Sequence, residues 1–450
     1  MASTASAGTN RWAIAWAGVI VMICLGTVYS WSIFTRPLIA TQHWSNTTTT
    51  WAFALAIFFL GLGAVIGGRW QDRVGPRNVT ITGAVLWGLG NVLAGLFTTS
   101  LGPWWIYLTY GVIGGLGLGM GYITPVATVT KWFPDKRGLA SGMVVMGFGL
   151  GAFFYNQIVP RIGSFADAAK HATAYANAVA SKDAAAIATA AAAITPADTQ
   201  AVMSVFIWSG VIFAVIGGIC ATFLKNPPAG YTVGGAVATA AQSGYSYTPN
   251  QTLRTPQFYL LWLMLFLNVT AGILIISNAV PIYSDLTGAA AAAAASIYGF
   301  LAVFNGLGRF FWGAVSDRIG RNYTYALIFG IQAIVFFILA NLHSFVAVGV
   351  AFAIVLLCYG GGFGTMPSFN ADYFGTKFLG QNYGMILTAW GTAGIVGPII
   401  AAKVKDATGS FTNALVPVAI MLLIATILPF LTKKPVPPVA VPGGATVGAT

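Results

Sequence analysis

The stretch GRWQDRVGPR at residues 68–77 is repeated, 245 residues later, as GAVSDRIGR at residues 313–321. Both copies contain the pattern GxxxDRxG, and each copy stands between two long apolar runs. A second correspondence follows, because Pro125 in the first half of the chain matches Pro367 in the second half at nearly the same offset. The repeat predicts two related halves within one chain.

The composition excludes a soluble protein. Of the 450 residues, 57% are hydrophobic and only 7% are charged, with a mean hydropathy of +0.79, whereas soluble proteins carry about a quarter charged residues. The net charge of +12 would be typical of a protein that binds nucleic acid, but most of the cations lie in loops on one side of the predicted spans, as in a membrane protein. We therefore expect a lipid bilayer and no nucleic acid. The three cysteines lie far apart inside apolar runs, so we expect neither disulfides nor a metal or other cofactor.

Twelve apolar runs are long enough to cross a bilayer as helices. They cover residues 12–35, 51–68, 79–99, 104–130, 138–158, 201–224, 257–280, 290–313, 323–342, 345–369, 382–402 and 412–431. The first run is too long for a cleaved signal peptide. The sequence thus predicts an all-α membrane protein of twelve transmembrane helices in two pseudo-symmetric six-helix halves.

The runs divide the chain into four parts. We expect an N-terminal half at 1–225, a cytoplasmic linker at 226–256, a C-terminal half at 257–434 and a disordered Pro/Gly-rich tail at 435–450. The N-terminal half contains an Ala-rich insert at 163–200, for which the composition favours a short helical hairpin on the outer face. A lid over the molecule is the alternative role for this insert.

The cations orient the chain in the membrane. Counting alternate loops places 14 of the 21 lysines and arginines on the side of the termini and six on the other side. The positive-inside rule therefore predicts a multi-pass protein of the cell (inner) membrane with both termini in the cytoplasm. Arg309 is the remaining cation, and it lies within a predicted span.

The duplicated GxxxDRxG loop resembles the signature of the major facilitator superfamily. Four further segments, WFPDKRGLASG (132–142), LRTPQF (253–258), NYG (382–384) and VYSW (28–31), resemble its oxalate/formate antiporter branch. The likeness runs from about residue 11 to 431, apart from the insert. It implies the twelve-helix fold, transport rather than enzymatic activity, and alternating access between two rocking halves. We also expect a monomer.

The repeat loops carry two acid–base pairs, Asp72 with Arg73 and Asp317 with Arg318. An aspartate at this place can cap a neighbouring helix or pair with an arginine. We expect these residues to latch helices together on the inner face and to release them when the bundle opens inward. Their predicted role is gating and not substrate binding.

Arg309 is the strongest candidate for the binding site. It lies eight residues before Asp317, roughly 12 Å inward from the loop, where a cation costs roughly 2.5–3.5 kcal/mol on insertion scales. The predicted spans contain no acid, so Arg309 has no resident counter-ion, and a guanidinium matches a carboxylate in two parallel hydrogen bonds. The alternatives are that Arg309 extends to the inner surface or binds backbone carbonyls. Asn305, one turn earlier, could orient the guanidinium, bind a substrate hydroxyl or link two helices.

Aromatic residues at mid-depth complete the predicted pocket. By residue type alone, ordinary packing is the favoured role of Tyr29, Tyr122, Tyr359 and Phe363. The resemblance implies instead that they line the substrate site, with Arg309 on the carboxylate. The oxalate exchanger of this branch has a lysine where this chain has Trp390. A single buried cation cannot neutralise a dianion, so the departure favours a monocarboxylate such as lactate, pyruvate or formate.

The sequence says less about how transport is coupled to an ion than about the binding site. The chain has no glutamate and its three histidines fall in predicted outer loops, which leaves Asp285, at the outer end of the seventh span, as the candidate proton site. A surface aspartate that caps the eighth span is the favoured alternative for Asp285, and in that case anion exchange is the simpler scheme.

Three classes of function compete. The first is a secondary active transporter of small organic anions, most favourably monocarboxylates, with oxalate:formate antiport as the alternative. A membrane-embedded enzyme would need a nucleophile with a base, paired acids or a metal cluster, and the predicted spans offer none, so we expect no catalytic residues. A transporter-like sensor without flux is the third class. A primary pump is disfavoured because the chain lacks a Walker-type phosphate loop.

Overall fold

The computed structural model describes residues 10–228, 230–233, 245–289, 291–408 and 411–436. The described N-terminal helices are α1 (Arg11–Gly26), α2 (Ser32–Gln42), α3 (Asn46–Val74), α4 (Pro76–Leu101), α5 (Pro103–Ile106), α6 (Gly115–Trp132), α7 (Arg137–Ile158), α8 (Gly163–Ser181), α9 (Ala184–Ala192) and α10 (Pro196–Ala221). Shorter helical segments lie between them: 3-10 turns at Thr27–Ser30 and Val159–Arg161 and a π-helical segment at Tyr107–Gly114.

The second half continues in the same way. Its described helices are α11 (Pro249–Leu253), α12 (Pro256–Thr287), α13 (Ala291–Leu301), α14 (Val303–Ile319), α15 (Arg321–Leu339), α16 (Phe345–Phe374), α17 (Leu379–Ile386), α18 (Thr388–Thr408), α19 (Leu415–Ala425) and α20 (Leu428–Leu431), with a 3-10 turn at Phe411–Ala414. Much of the predicted linker (229 and 234–244) and the tail from 437 onward lie outside the described residues.

The predicted all-α membrane fold is confirmed. Eleven of the described helical stretches are long and apolar enough to cross a membrane. The remaining predicted span, residues 290–313, is the eighth along the chain. It is present as two shorter helices, α13 and α14, which are separated at Ala302. The first predicted span also differs, because α1 ends at Gly26 and a 3-10 turn precedes α2.

The sequence repeat is also a structural repeat. Gly75 ends α3 with a φ of +91°, and Gly320 ends α14 with a φ of +88°. A side chain with a Cβ atom rarely adopts this left-handed conformation, so glycine is required at both sharp turns. Each turn leads directly into the next helix, α4 or α15.

The Ala-rich insert is helical. Its helices α8 and α9 pack against each other, and α8 also packs against α2 and α10. The Nδ1 atom of His171 in α8 lies 3.1 Å from the carboxylate of Asp198, which in turn caps the start of α10 together with Thr195. The insert is therefore tied to the span that follows it.

Glycines bring the two halves into backbone contact. A Cβ atom at Gly142 of α7 would lie 2.4 Å from the carbonyl oxygen of Arg309 in α14, and one at Gly149 would lie 2.5 Å from the Cα atom of Gly306. Between α3 and α17, a Cβ atom at Gly384 would lie 2.4 Å from the carbonyl oxygen of Ala64. Small residues at helix contacts are typical of membrane proteins. These contacts fix the depth at which α14 presents Arg309 to the other half.

The helices are longer than the apolar runs that predicted them. As a result Asp72, Asp317 and Asp372 lie within α3, α14 and α16 near the helix ends, and Asp285 lies within α12. The expectation that no acid lies within a span is therefore wrong for the full helices. Apolar runs underestimate helix length because the ends of a membrane helix extend into the polar interface.

Candidate functional site

Arg309 is buried in the centre of the molecule. Its side chain is 0% exposed, and its Nε atom donates a hydrogen bond of 3.2 Å to Oδ1 of Asn305, one turn earlier on α14. Neither terminal nitrogen of the guanidinium has a hydrogen-bond partner among the described residues. This geometry contradicts both alternatives for Arg309, namely extension to the surface and bonding to backbone carbonyls. It gives Asn305 the orienting position.

No acidic side chain of the described chain neutralises this cation. The six ion pairs found between described residues involve other cations, and Arg309 is in none of them. Burying a charge without a partner costs free energy, and N–H donors that form no hydrogen bond add to this cost. The site is thus chemically complementary to an anion.

Two phenylalanines, one from each half, flank the guanidinium. The central carbon of Arg309 lies 4.7 Å from the ring centroid of Phe363 in α16 and 5.4 Å from that of Phe148 in α7. Such cation–π contacts contribute about 2 kcal/mol when they are shielded from water. Sequence reasoning missed Phe148, whose only signal is its place among the glycines of α7 that contact α14.

The predicted aromatic residues surround Trp390, which is 0% exposed in α18. Its ring centroid lies 4.7 Å from that of Phe363, 5.2 Å from that of Tyr122 and 6.2 Å from that of Tyr29. The hydroxyls of Tyr29 and Tyr359 are 2.9 Å apart and join the two halves. The structure therefore brings together all the residues predicted for the pocket: Arg309, Asn305, Tyr29, Tyr122, Tyr359, Phe363 and Trp390.

Several buried donors of this cluster lack a hydrogen-bond partner within the described chain. Besides the two guanidinium nitrogens, the buried Tyr122 hydroxyl, Tyr383 hydroxyl and Trp390 Nε1 have no partner among the described residues. Tyr383 belongs to α17, and its side chain is 0% exposed and lies close to the Tyr122 hydroxyl and the Arg309 charge. Tyr383 was not predicted from the sequence, although it forms part of the NYG segment. Buried donors of native proteins nearly always have partners, so this set indicates a place for an acceptor.

A second cluster joins the halves at the repeat end, meaning the end of the molecule that carries residues 68–77 and 313–321. The Asp317 carboxylate accepts hydrogen bonds of 2.8 Å from the backbone N–H groups of Gly138 and Leu139, at the start of α7. The Asp72 carboxylate accepts bonds from the N–H groups of Gly380 and Gln381, of 3.3 and 2.8 Å, at the start of α17. Each aspartate thus caps the positive end of a helix in the opposite half.

Ion pairs reinforce these caps. Asp372 binds Arg137 of the other half at 2.8 Å and Arg321 at 2.9 Å, and Arg321 also pairs with Asp317 at 2.8 Å. The structure places Arg73 and Arg318, the predicted arginines, on the exposed surface. The basic partners in this cluster are instead Arg137, Arg321 and, beside Asp72, Lys131. We call the two caps and these ion pairs the latch.

Asp285 occupies a different environment from the pocket. It is exposed in the last turn of α12, and the next residue, Leu286, has its carbonyl oxygen 3.1 Å from Nδ1 of His343. In the described part of the chain no group of three or more His, Cys, Asp or Glu side chains is arranged to hold a metal ion.

The sequence matches the family model described as Major Facilitator Superfamily over residues 16–398 and 261–448. It is 28% identical to the oxalate:formate antiporter of Oxalobacter formigenes over 90% of this chain and 88% of that protein. It is 25% identical to apicoplast pyruvate carrier 1 of Toxoplasma gondii over 85% of this chain and 82% of the carrier. Among solved structures, the proton:xylose symporter XylE aligns with a TM-score of 0.68 at 14% identity, over 94% of this chain and 96% of XylE.

Proposed function

Because the chain belongs to the major facilitator superfamily, we propose that it is a secondary active transporter of small organic anions, with Arg309 as the residue that binds the substrate carboxylate. The observation that carries this proposal is the buried guanidinium, whose terminal nitrogens have no partner in the described chain. Two relatives whose names state a substrate, the oxalate:formate antiporter and the pyruvate carrier, both move carboxylates. Their names support the same class of substrate here.

We favour monocarboxylates, such as lactate, pyruvate or formate, over dicarboxylates. Among the described residues, Arg309 is the one cation of the aromatic cluster, and the uncharged ring of Trp390 packs against Phe148 and Phe363, the two rings that flank Arg309. One guanidinium neutralises one carboxylate, and a second carboxylate in this cluster would stay uncompensated in a medium of low dielectric constant. Oxalate:formate antiport is the second candidate, and the similarity to the Oxalobacter antiporter over most of both chains favours it.

Alternating access supplies the mechanism. In this proposal the latch is the gate of the repeat end, because Asp72 and Asp317 bind helix ends of the opposite half. Access from this end requires both caps to break. We therefore assign gating to Asp72 and Asp317, with Arg137, Arg321 and Asp372 as their ionic support. Arg73 and Arg318, which are exposed, have at most an indirect role.

Three further assignments belong to the same proposal. We place the protein in the inner membrane as a monomer, with both termini in the cytoplasm and the repeat end facing inward, because this orientation follows the excess of lysine and arginine. Asp285 is the candidate for proton coupling, since its exposed position near the end of α12 gives it access to bulk water. If Asp285 has no such role, exchange of one anion for another drives transport.

Counterflow in proteoliposomes tests the proposal. Vesicles that contain the purified protein and unlabelled pyruvate, formate or oxalate are diluted into the same labelled anion, and uptake is followed. We expect accumulation of labelled monocarboxylate by the wild type, severe impairment in Arg309→Lys, which loses the bidentate fork, and none in Arg309→Ala. Detergent-extracted protein of normal size and yield is the control for insertion.

The outcomes separate the candidates. Normal uptake by Arg309→Ala overturns the anion site. A preference for oxalate over monocarboxylates overturns the single-cation argument in favour of the antiporter. Binding of a carboxylate without any flux assigns the protein to the sensor class.

A further inference from the structure

A cleft of about 350 Å³ lies at the repeat end, between the two halves. Its volume is at the lower end of the range for small-molecule sites, which is roughly 300–1,000 Å³. The charged residues of its walls are Asp135 and Arg137 of the N-terminal half and Asp317, Arg321, Asp372 and Lys434 of the C-terminal half. In the part of the chain that the structure describes, the cleft shares no lining residue with the aromatic pocket around Arg309.

The three acids of the cleft are already engaged. Asp372 binds Arg137 at 2.8 Å and Arg321 at 2.9 Å. Asp317 accepts hydrogen bonds from two backbone N–H groups at the start of α7 and also pairs with Arg321. The third acid, Asp135, forms an ion pair of 2.7 Å with the arginine at the start of α1. These carboxylates therefore already have cationic or N–H partners within the chain.

Two basic residues of the same cleft keep unused donors. Lys434 is exposed and takes part in none of the ion pairs found between described residues. Arg137 is 3% exposed, and its Nε atom has no hydrogen-bond partner in the described chain, although Nη1 binds Asp372. With the arginine that pairs with Asp135 included, four cations face three acids, which leaves one positive charge. The N-terminus of α7, which begins at Arg137, adds to this positive potential.

The backbone that carries Lys434 is held in place by three other parts of the chain. Side chains of α16, α12 and the linker donate to the carbonyl oxygens of Thr432, Lys433 and Val436, at 2.6, 3.0 and 2.7 Å. A cation on a backbone that is fixed in this way needs less ordering when a ligand binds, which favours binding. The exposed lysine is thus kept beside the cleft.

We infer that this cleft binds a small oxyanion, a carboxylate or a phosphate, between Arg137 and Lys434. A guanidinium and an ammonium bind the oxygens of either group through charge-assisted hydrogen bonds. Because the two residues belong to different halves, the bound anion adds a link between the halves beside the latch. It therefore favours the arrangement in which the latch is intact and opposes opening of the repeat end. The inference goes beyond the proposed function, since the site does not use Arg309 and its occupancy does not require transport.

Hydrogen exchange on the purified full chain tests the site, with inorganic phosphate and pyruvate as separate probes and chloride at equal ionic strength as the reference. The peptide that covers the start of α7 reports the opening of the latch. At a probe concentration about ten times the Kd from titration calorimetry, an anion that binds only the intact arrangement slows this opening about tenfold. We expect slowing of this size with at least one probe, and the probe that acts identifies the source of the oxyanion. Arg309→Ala, which lacks the pocket cation, should show the same slowing.

Two neighbouring lysines supply matched variants. Lys434→Gln removes the unpaired cation of the cleft and should weaken the affinity for the active probe about fivefold, the size of one partly exposed ion pair. Lys433→Gln removes an equally exposed charge that does not line the cleft, so it should keep the wild-type affinity. The pair therefore separates binding in the cleft from a general attraction of anions to this basic surface.

Three results overturn the inference. The first is a wild-type protein whose exchange at α7 is slowed by neither probe, a comparison that needs no variant to fold. The second is an equal loss of affinity in Lys433→Gln and Lys434→Gln. The third is slowing that disappears in Arg309→Ala, because the anion then acts from the pocket. The proposed function is tested separately: absent counterflow together with slowing by a probe would overturn transport and support the cleft site.

Discussion

Replacing Asp317 by Asn removes the charge from one cap of the latch while keeping the shape of the side chain. The carboxylate now accepts two hydrogen bonds of 2.8 Å from the first N–H groups of α7 and pairs with Arg321 at 2.8 Å. The amide of Asn keeps one acceptor oxygen, so the variant loses one of the two backbone bonds and the ion pair. The positive end of α7 also loses its counter-charge.

The size of the effect follows from these contacts. A hydrogen bond to a charged group contributes about 1.5–3 kcal/mol, and the charge at a helix N-terminus adds about 0.3–1 kcal/mol. Because 17% of the Asp317 side chain is exposed, water compensates part of this loss. We therefore expect the start of α7 to open about 2 kcal/mol more easily, which corresponds to a population change of about 30-fold.

Hydrogen exchange measures this opening directly. The amide hydrogens of Gly138 and Leu139 are the donors to Asp317, so a peptide that covers the start of α7 should exchange about 30-fold faster in Asp317→Asn. Arg318→Gln is the matched control, because Arg318 is the next residue in the last turn of α14 and is exposed. Unchanged exchange in Asp317→Asn, or an equal increase in Arg318→Gln, would refute the reasoning.

Three further predictions concern the pocket, the glycine contacts and the coupling. Trp390→Lys adds a second cation to the cluster and should shift the preference in competition assays from monocarboxylates toward oxalate; an unchanged preference contradicts the charge argument. Gly142→Ala places a methyl group 2.4 Å from the Arg309 carbonyl oxygen, so it should lower the free energy of unfolding by about 1–3 kcal/mol. Gly218→Ala, whose added carbon meets nothing within 4 Å, should not lower the stability, and equal losses in both variants would disprove the close contact. Asp285→Asn should lose stimulation of uptake by an acid-outside pH gradient and keep exchange at equal pH, whereas full stimulation in the variant would leave Asp285 without a role in coupling.

Much of the fold could be predicted because the bilayer imposes a strong rule on the sequence. A helix that crosses it needs about 20 apolar residues, so the runs around the two GxxxDRxG loops predict the helices, although helix ends such as Val74 and Ile319 lie six residues beyond the runs. The breaks at Ala302 and near Tyr29 could not be predicted in this way. Both lie inside predicted spans, where the backbone geometry depends on how neighbouring helices pack and not on local composition.

The centre of the site was predictable for a related reason. Arg309 is a cation within an apolar span, and the free-energy cost of placing a charge there is enough to mark it as a candidate for the site. Phe148 and Tyr383 carry no such signal, because an aromatic residue in an apolar run can face lipid, core or pocket, depending on a helix rotation that the sequence does not specify. The pairing of Arg137 with Asp372, 235 residues apart, is equally invisible without the structure.

Several helices carry both a pocket residue and a part of the latch, and three of these helices take part in its two caps. On α14, Arg309 precedes Asp317 by eight residues, a rise of roughly 12 Å. On α7, Phe148 follows the N–H groups that Asp317 binds, and on α17, Tyr383 follows those that Asp72 binds. Helices are stiff over such short lengths, so a rotation of the halves that breaks a cap also moves the attached pocket residue. An anion that contacts Arg309 and Tyr383 together would therefore contact two of the helices that the latch holds. As a result, the free energy of opening the repeat end would depend on whether the pocket is filled.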